Sequence, residues 1–134
     1  MSLPATLELR CGPVTAVDLA LYAAASGDLN PLHLDEAVAR NAGFEQPLVH
    51  GMLTMAYVAR LFTERLGSAA LLALNTRFTG AAKRGETLLL SAQLGESDDS
   101  SALYSVRGMT ETGSEVVSGS ARVRLPAGTD PAAP

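Results

Sequence analysis

Apolar residues recur in this chain with two different periods, and the change falls near position 70. Met52, Met55, Ala56, Ala59, Phe62 and Leu66 follow one another at three- and four-residue steps, which predicts a helix buried along that face. Gly67 ends it. Beyond it the period shortens to two, and segments 71–78, 87–95, 102–110 and 115–125 read as strands. In the last of these Gly119, Ala121, Val123 and Leu125 alternate with Ser118, Ser120, Arg122 and Arg124. Turn-forming residues separate the strands at Lys83-Arg84-Gly85, Asp98-Asp99-Ser100 and Thr112-Gly113-Ser114.

Ahead of the long helix the pattern predicts one strand and two shorter helices. Leu7 and Leu9 alternate with Thr6, Glu8 and Arg10, which suits an edge strand. Thr15 followed by Asp18 has the form of a helix start, with Val17, Leu21 and Ala24 on one face and Ser26-Gly27 as its end. Asp35 caps a short helix running to Asn41, closed by Gly43. The sum is an α+β domain in which an antiparallel sheet wraps a long central helix. The domain is expected to span residues 1–126, with 127–134, rich in Pro and Ala, as a flexible tail.

Composition adds exclusions. The chain is 47% hydrophobic and only 18% charged, which rules against disorder and suits burial of one face in a dimer. With no Trp and three Phe, the core must come mainly from Leu, Val, Ala and Met. The lone Cys11 excludes an internal disulfide and a cysteine metal cluster, and reads as a small apolar filler. A net charge of −4 argues against nucleic acid as partner. The apolar run 48–66 is broken by His50, Thr54, Arg60, Thr63, Glu64 and Arg65, so no membrane span is expected. No secretory leader pattern opens the chain, and a cytoplasmic location is the expectation. Basic residues cluster locally: between positions 60 and 84, Arg60, Arg65, Arg77, Lys83 and Arg84 are opposed by Glu64 alone. Arg77, Lys83 and Arg84 are therefore candidate contacts for the phosphates of a ligand.

The residues with chemistry lie in Ser26-Gly27-Asp28-Leu29-Asn30-Pro31-Leu32-His33-Leu34-Asp35 and in Val49-His50-Gly51-Met52. Asp28 and His33 sit between helices in a segment stiffened by Pro31. There a carboxylate and an imidazole can hold and activate one water. Gly51 opens the long helix, where main-chain N–H groups have no internal partner and can bind a carbonyl oxygen as charge develops on it. An EF-hand reading fails: the position needing the turn glycine is His33, and the twelfth position is Ala39. Asp28, His33 and His50 match no standard zinc spacing, so no metal is expected. Neither a phosphate-binding glycine loop nor a nucleophile elbow is present.

Residues 22–61, reading YAAASGDLNPLHLDEAVARNAGFEQPLVHGMLTMAYVARL, resemble the hydratase signature of the MaoC-like family, which includes (R)-specific enoyl-CoA hydratases and (3R)-hydroxyacyl-ACP dehydratase subunits. The similarity continues more weakly through Asn75-Thr76-Arg77-Phe78 and Arg84-Gly85-Glu86-Thr87. The resemblance implies a hotdog fold, normally a homodimer or a heterodimer with a related hotdog chain. It also implies Asp28 and His33 as the catalytic pair. The Gly51 N–H would polarise the thioester carbonyl, with Asn30 and His50 as further substrate-binding candidates. The implied reaction is hydration of a trans-2-enoyl thioester or the reverse dehydration, in fatty-acid or polyketide-type metabolism. It needs no cofactor, because coenzyme A or the phosphopantetheine arm of acyl carrier protein is part of the substrate. Two departures stand out. Ala59 occupies the position of a serine that supports the catalytic carboxylate in some members, with Thr54 or Tyr57 as substitutes. Ala81-Ala82 replaces a Pro-Val pair. The rival readings are an acyl thioesterase, for which the central helix offers only Glu64, and a non-catalytic hotdog partner subunit.

Overall fold

The computed structural model describes residues 2–126; the segment 127–134, expected to be a tail, lies outside the described residues. Strand β1 (Thr6–Cys11) leads to helix α1 (Ala16–Ser26), a 3-10 turn at Pro31–His33, and helix α2 (Glu36–Asn41). The long helix α3 (Gly51–Leu66) follows, then β2 (Leu71–Phe78), β3 (Leu88–Ser97), β4 (Ser101–Thr110) and β5 (Glu115–Arg124). All pairings are antiparallel and the strand order is β1-β3-β4-β5-β2, so β1 lies at an edge as its short alternating pattern predicts. The sheet curls around α3, the hotdog arrangement, and the Phe62 ring of α3 meets Tyr104 of β4 edge to face, with centroids 5.4 Å apart.

Local chemistry sets the element ends. Thr15 and Asp18 form a reciprocal capping box at the start of α1, an arrangement whose N-cap is typically worth ~1 kcal/mol. Gly27 ends that helix in the left-handed conformation, at φ 79°. Asp35 caps α2 through the N–H groups of Ala37 and Val38.

The helix faces differ from the reading of the sequence. On α1 the buried residues are Leu19 and Ala23, while Val17 and Leu21 are both 65% exposed. On α3 the sheet covers Leu53, Thr54, Val58, Leu61 and Phe62. Of the stripe predicted to be buried, only Phe62 is fully so, and Met52 is 57% exposed. α3 carries two apolar stripes, and the sheet of one chain covers only one. Cys11 is buried, and that burial pushes its thiol pKa up, which suits a filler and not a nucleophile. Among the described residues no helix is long and apolar enough to cross a membrane.

Candidate active site

The segment between α1 and α2 is shaped by its own short polar side chains. The Ser26 hydroxyl accepts from the Asp28 N–H, the Asp28 carboxylate accepts from the Asn30 N–H, and the Asn30 side-chain carbonyl accepts from the Leu32 N–H. Each bond closes a turn two residues long, so the chain reverses direction without regular structure. Pro31 then opens the 3-10 turn that carries His33. Asn30 thus has a turn-building role that its expected place in substrate binding did not include.

A strap of residues 47–49 fixes this loop against the rest of the fold. The Leu48 N–H donates to the Leu32 carbonyl at 3.1 Å, Val49 N–H donates to Ala82, and Arg84 N–H donates to Pro47. The Leu48 carbonyl accepts from Nδ1 of His33 at 2.9 Å. Because a carbonyl can only accept, His33 carries its proton on Nδ1 when neutral, and its Nε2 holds a lone pair. That Nε2 lies 3.7 Å from Oδ2 of Asp28. The carboxylate is half exposed and the imidazole largely covered. A carboxylate oxygen and an imidazole lone pair thus face one small space and can together accept both protons of one water.

His50 and Gly51 begin α3 beside this pair. The His50 carbonyl accepts from the Leu53 and Thr54 N–H groups, which leaves the N–H of Gly51 among those a helix start cannot satisfy internally. A Cβ on Gly51 would stand 3.1 Å from the Phe78 ring, tighter than an ordinary contact, so a larger residue there would need that ring to shift. The His50 ring is buried, stacks on His33 with centroids 3.9 Å apart, and donates from Nε2 to the Asp28 main-chain carbonyl at 3.2 Å. Both contacts are to the site's own residues. Burial, and then the charge of His33, push the His50 pKa below the usual histidine range.

Asp28, His33 and His50 each bring one ligand atom within 4.8 Å of the others, a spacing that on distance alone admits a metal ion. The ring planes argue otherwise. They lie 20° from parallel in a stack, and in-plane lone pairs of stacked rings run side by side instead of converging on an ion about 2 Å from both.

The remaining expectations divide. Neither Thr54 nor Tyr57 hydrogen-bonds the Asp28 carboxylate among the described residues. Thr54 is buried at the start of α3, and the charged or polar groups that act on Tyr57 are Asp18, Cys11 and Arg60. Arg84 donates to Glu36 and to Gln46, tying α2 and the strap to the β2–β3 connection. Its guanidinium, expected as a phosphate contact, is thus engaged within the chain. Arg77 is exposed on β2 and Lys83 half-buried beside the strap, where it forms a bridge with Leu48. Tyr22 and the Leu48 carbonyl, which complete the surroundings of the two histidines, were not singled out by the sequence.

The MaoC-like domain family matches residues 6–116. The chain is 33% identical over 129 residues to an (R)-specific enoyl-CoA hydratase of Aeromonas caviae, covering 91% of this chain and 92% of that one. A solved R-hydratase structure from Pseudomonas aeruginosa superposes with a TM-score of 0.85 at 29% identity, over 94% of this chain and 83% of that one. A mitochondrial 3-hydroxyacyl-[acyl-carrier-protein] dehydratase of Arabidopsis thaliana is 38% identical over 72 residues, which are 54% of this chain and 43% of that protein. By the extent of the family match, and by a relative this similar over nearly its whole length, the chain belongs to the MaoC-like domain family.

Proposed function

We propose that this chain is a hydro-lyase that interconverts trans-2-enoyl and (3R)-3-hydroxyacyl thioesters by reversible syn addition of water. The observation that carries the reading is the pairing of Asp28 and His33, with Nε2 facing Oδ2 at 3.7 Å and the opposite ring nitrogen tied to Leu48. The pair holds the water, which attacks C3 as one member accepts its proton; that same proton, passed on through the pair, goes to C2, so the pair ends the cycle as it began. The Gly51 N–H, at the positive end of α3, stabilises the oxygen of the enolate-like transition state. Positioned acid–base groups contribute roughly 100- to 10,000-fold, and one oxyanion donor about 3–4 kcal/mol. The reaction as written calls on no metal and no redox group, and the carrier belongs to the substrate. The similarity to an (R)-specific enoyl-CoA hydratase over most of both chains supports coenzyme A as carrier.

A thioesterase reading would need a carboxylate carried by the central helix near the reacting carbonyl. Glu64 lies 13 residues along α3 from Gly51, about 20 Å at the helical rise, and is ion-paired with Arg60. The test is to offer crotonyl-CoA and follow the enoyl absorbance, the chirality of the product and the release of free thiol. Loss of absorbance with a (3R)-hydroxy product is expected. Thiol release without hydration would replace the reading with thioesterase activity, and no reaction with any enoyl thioester would favour a non-catalytic partner subunit.

A further inference from the structure

The chemistry above uses Asp28, His33 and Gly51 and gives His50 no part, yet His50 meets all three. Its ring lies on that of His33, with planes 20° from parallel. Its Nε2–H donates to the main-chain carbonyl of Asp28. Its own carbonyl, one residue before Gly51, accepts from the Leu53 and Thr54 N–H groups of α3. Tyr22 meets the ring edge to face, with centroids 4.8 Å apart, and only 1% of His50 is left exposed.

We propose that His50 is the positioning residue of this site, a neutral imidazole that fixes the separation of Asp28 and His33 and leaves His33 as the one ring that exchanges a proton. The inference rests on the hydratase reading.

Nε2 of the His50 ring carries the proton, because its partner is a carbonyl. Nδ1 then bears the lone pair, and it is buried with no hydrogen-bond partner among the described residues. Protonating it would put an N–H and a charge where nothing accepts them, which costs more than an ordinary hydrogen bond returns. The stack acts in the same direction, since two imidazolium rings face to face repel strongly in a covered site. The lowered pKa of His50 agrees with both. Of two adjacent histidines, one is thus held uncharged and the other, with its Nε2 toward Asp28, is left to react. Positioning follows from the same contacts. The Asp28 loop is made of short local turns, and its tie to the helix start is the His50 bond. A displacement of about 1 Å in a reacting group can cost about 100-fold in rate.

Two substitutions separate the contacts. His50→Phe keeps a ring against His33 but donates nothing to Asp28, whereas His50→Gln keeps an N–H donor and loses the ring. In hydration of crotonyl-CoA, His50→Phe is expected to lower kcat roughly 10- to 100-fold with KM changed less than about threefold, and His50→Gln to recover part of that loss. A role in packing alone predicts the opposite ranking. That ranking, or wild-type kcat in both folded variants, overturns the proposal. Nitrogen-15 NMR of the imidazoles in the wild-type protein tests the same point without substitution or turnover. His50 should persist as the uncharged Nε2–H tautomer below the pH at which an ordinary imidazole becomes charged, and His33, when neutral, should appear as the Nδ1–H tautomer. A charged His50 near neutral pH, or its Nδ1–H tautomer, also overturns the proposal. Failure of the wild-type protein to hydrate any enoyl thioester would instead count against the hydratase reading.

Discussion

A carboxylate and an imidazole that act on one water form a single device, and single devices fail whole. Asp28→Asn keeps the shape of the side chain and removes its charge; His33→Ala removes the lone pair 3.7 Å away. Each is expected to lower kcat/KM for enoyl-CoA hydration by roughly 100- to 10,000-fold. The double variant should be little worse than either one, because residues that act as a unit are strongly non-additive. Circular dichroism should stay native, since both side chains stand on the loop outside the buried face of α3. A folded single variant that hydrates at the wild-type rate would place the chemistry elsewhere. At this scale the pair itself was legible, because Asp28, His33 and Gly51 lie in two short motifs whose local turns depend on nearby residues. What surrounds them was not. The Leu48 carbonyl reaches His33 across 15 positions and His50 reaches Asp28 across 22, and no spacing rule foretells contacts of that range.

Element ends proved easier to read than element faces. Thr15, Asp18, Gly27, Asp35 and Gly67 act through bonds or backbone angles within a few residues, and strand 71–78 falls where the period of two predicts it. Faces depend on what lies opposite. With apolar residues on two sides of α3, the periodicity names two stripes, and the sheet chooses the one through Leu53, Val58 and Phe62. The basic window divides by the same logic. Arg84 is tied by long-range bonds to Glu36 of α2 and to Gln46, whereas Arg77 stays exposed on β2 and Lys83 half-buried beside the strap. Neutralising Arg77 and Lys83 together should therefore raise KM for a coenzyme A thioester several-fold with kcat nearly unchanged, as expected when uniform binding is lost. Arg84→Met should instead lower Tm, with its effect on kcat coming through the strap. An unchanged KM in the first variant would mean that these two side chains form an ordinary solvated face.

The whole molecule leaves more apolar surface uncovered than its own sheet can use. Val17 and Leu21 of α1, Met52 at the start of α3, and Leu72 and Phe78 on the edge strand β2 are all exposed in the single chain. Large exposed apolar side chains gathered on several elements, beside an edge strand with unpaired main-chain groups, are what a second subunit removes from water. A stable dimer typically buries roughly 800 Å² per partner, about a tenth of the 7778 Å² this chain exposes. The second stripe of α3 gives the same indication, because a helix apolar on two sides has one face for its own sheet and one for a neighbour. The protein is expected to sediment as a dimer at micromolar concentration, either with itself or with a related hotdog chain. Gly51 and Met52 stand together at the start of α3, so the covered surface would adjoin the proposed oxyanion donor, and dimerisation and turnover should be lost together on dilution. Sedimentation velocity and the hydratase assay over the same concentration series check this directly. A homodimer makes specific activity fall as the chain dissociates. A heterodimer leaves the isolated chain monomeric and weakly active until its partner is added. A monomer with full activity at micromolar concentration would contradict both, and the exposed residues of α1 and β2 would then need another partner.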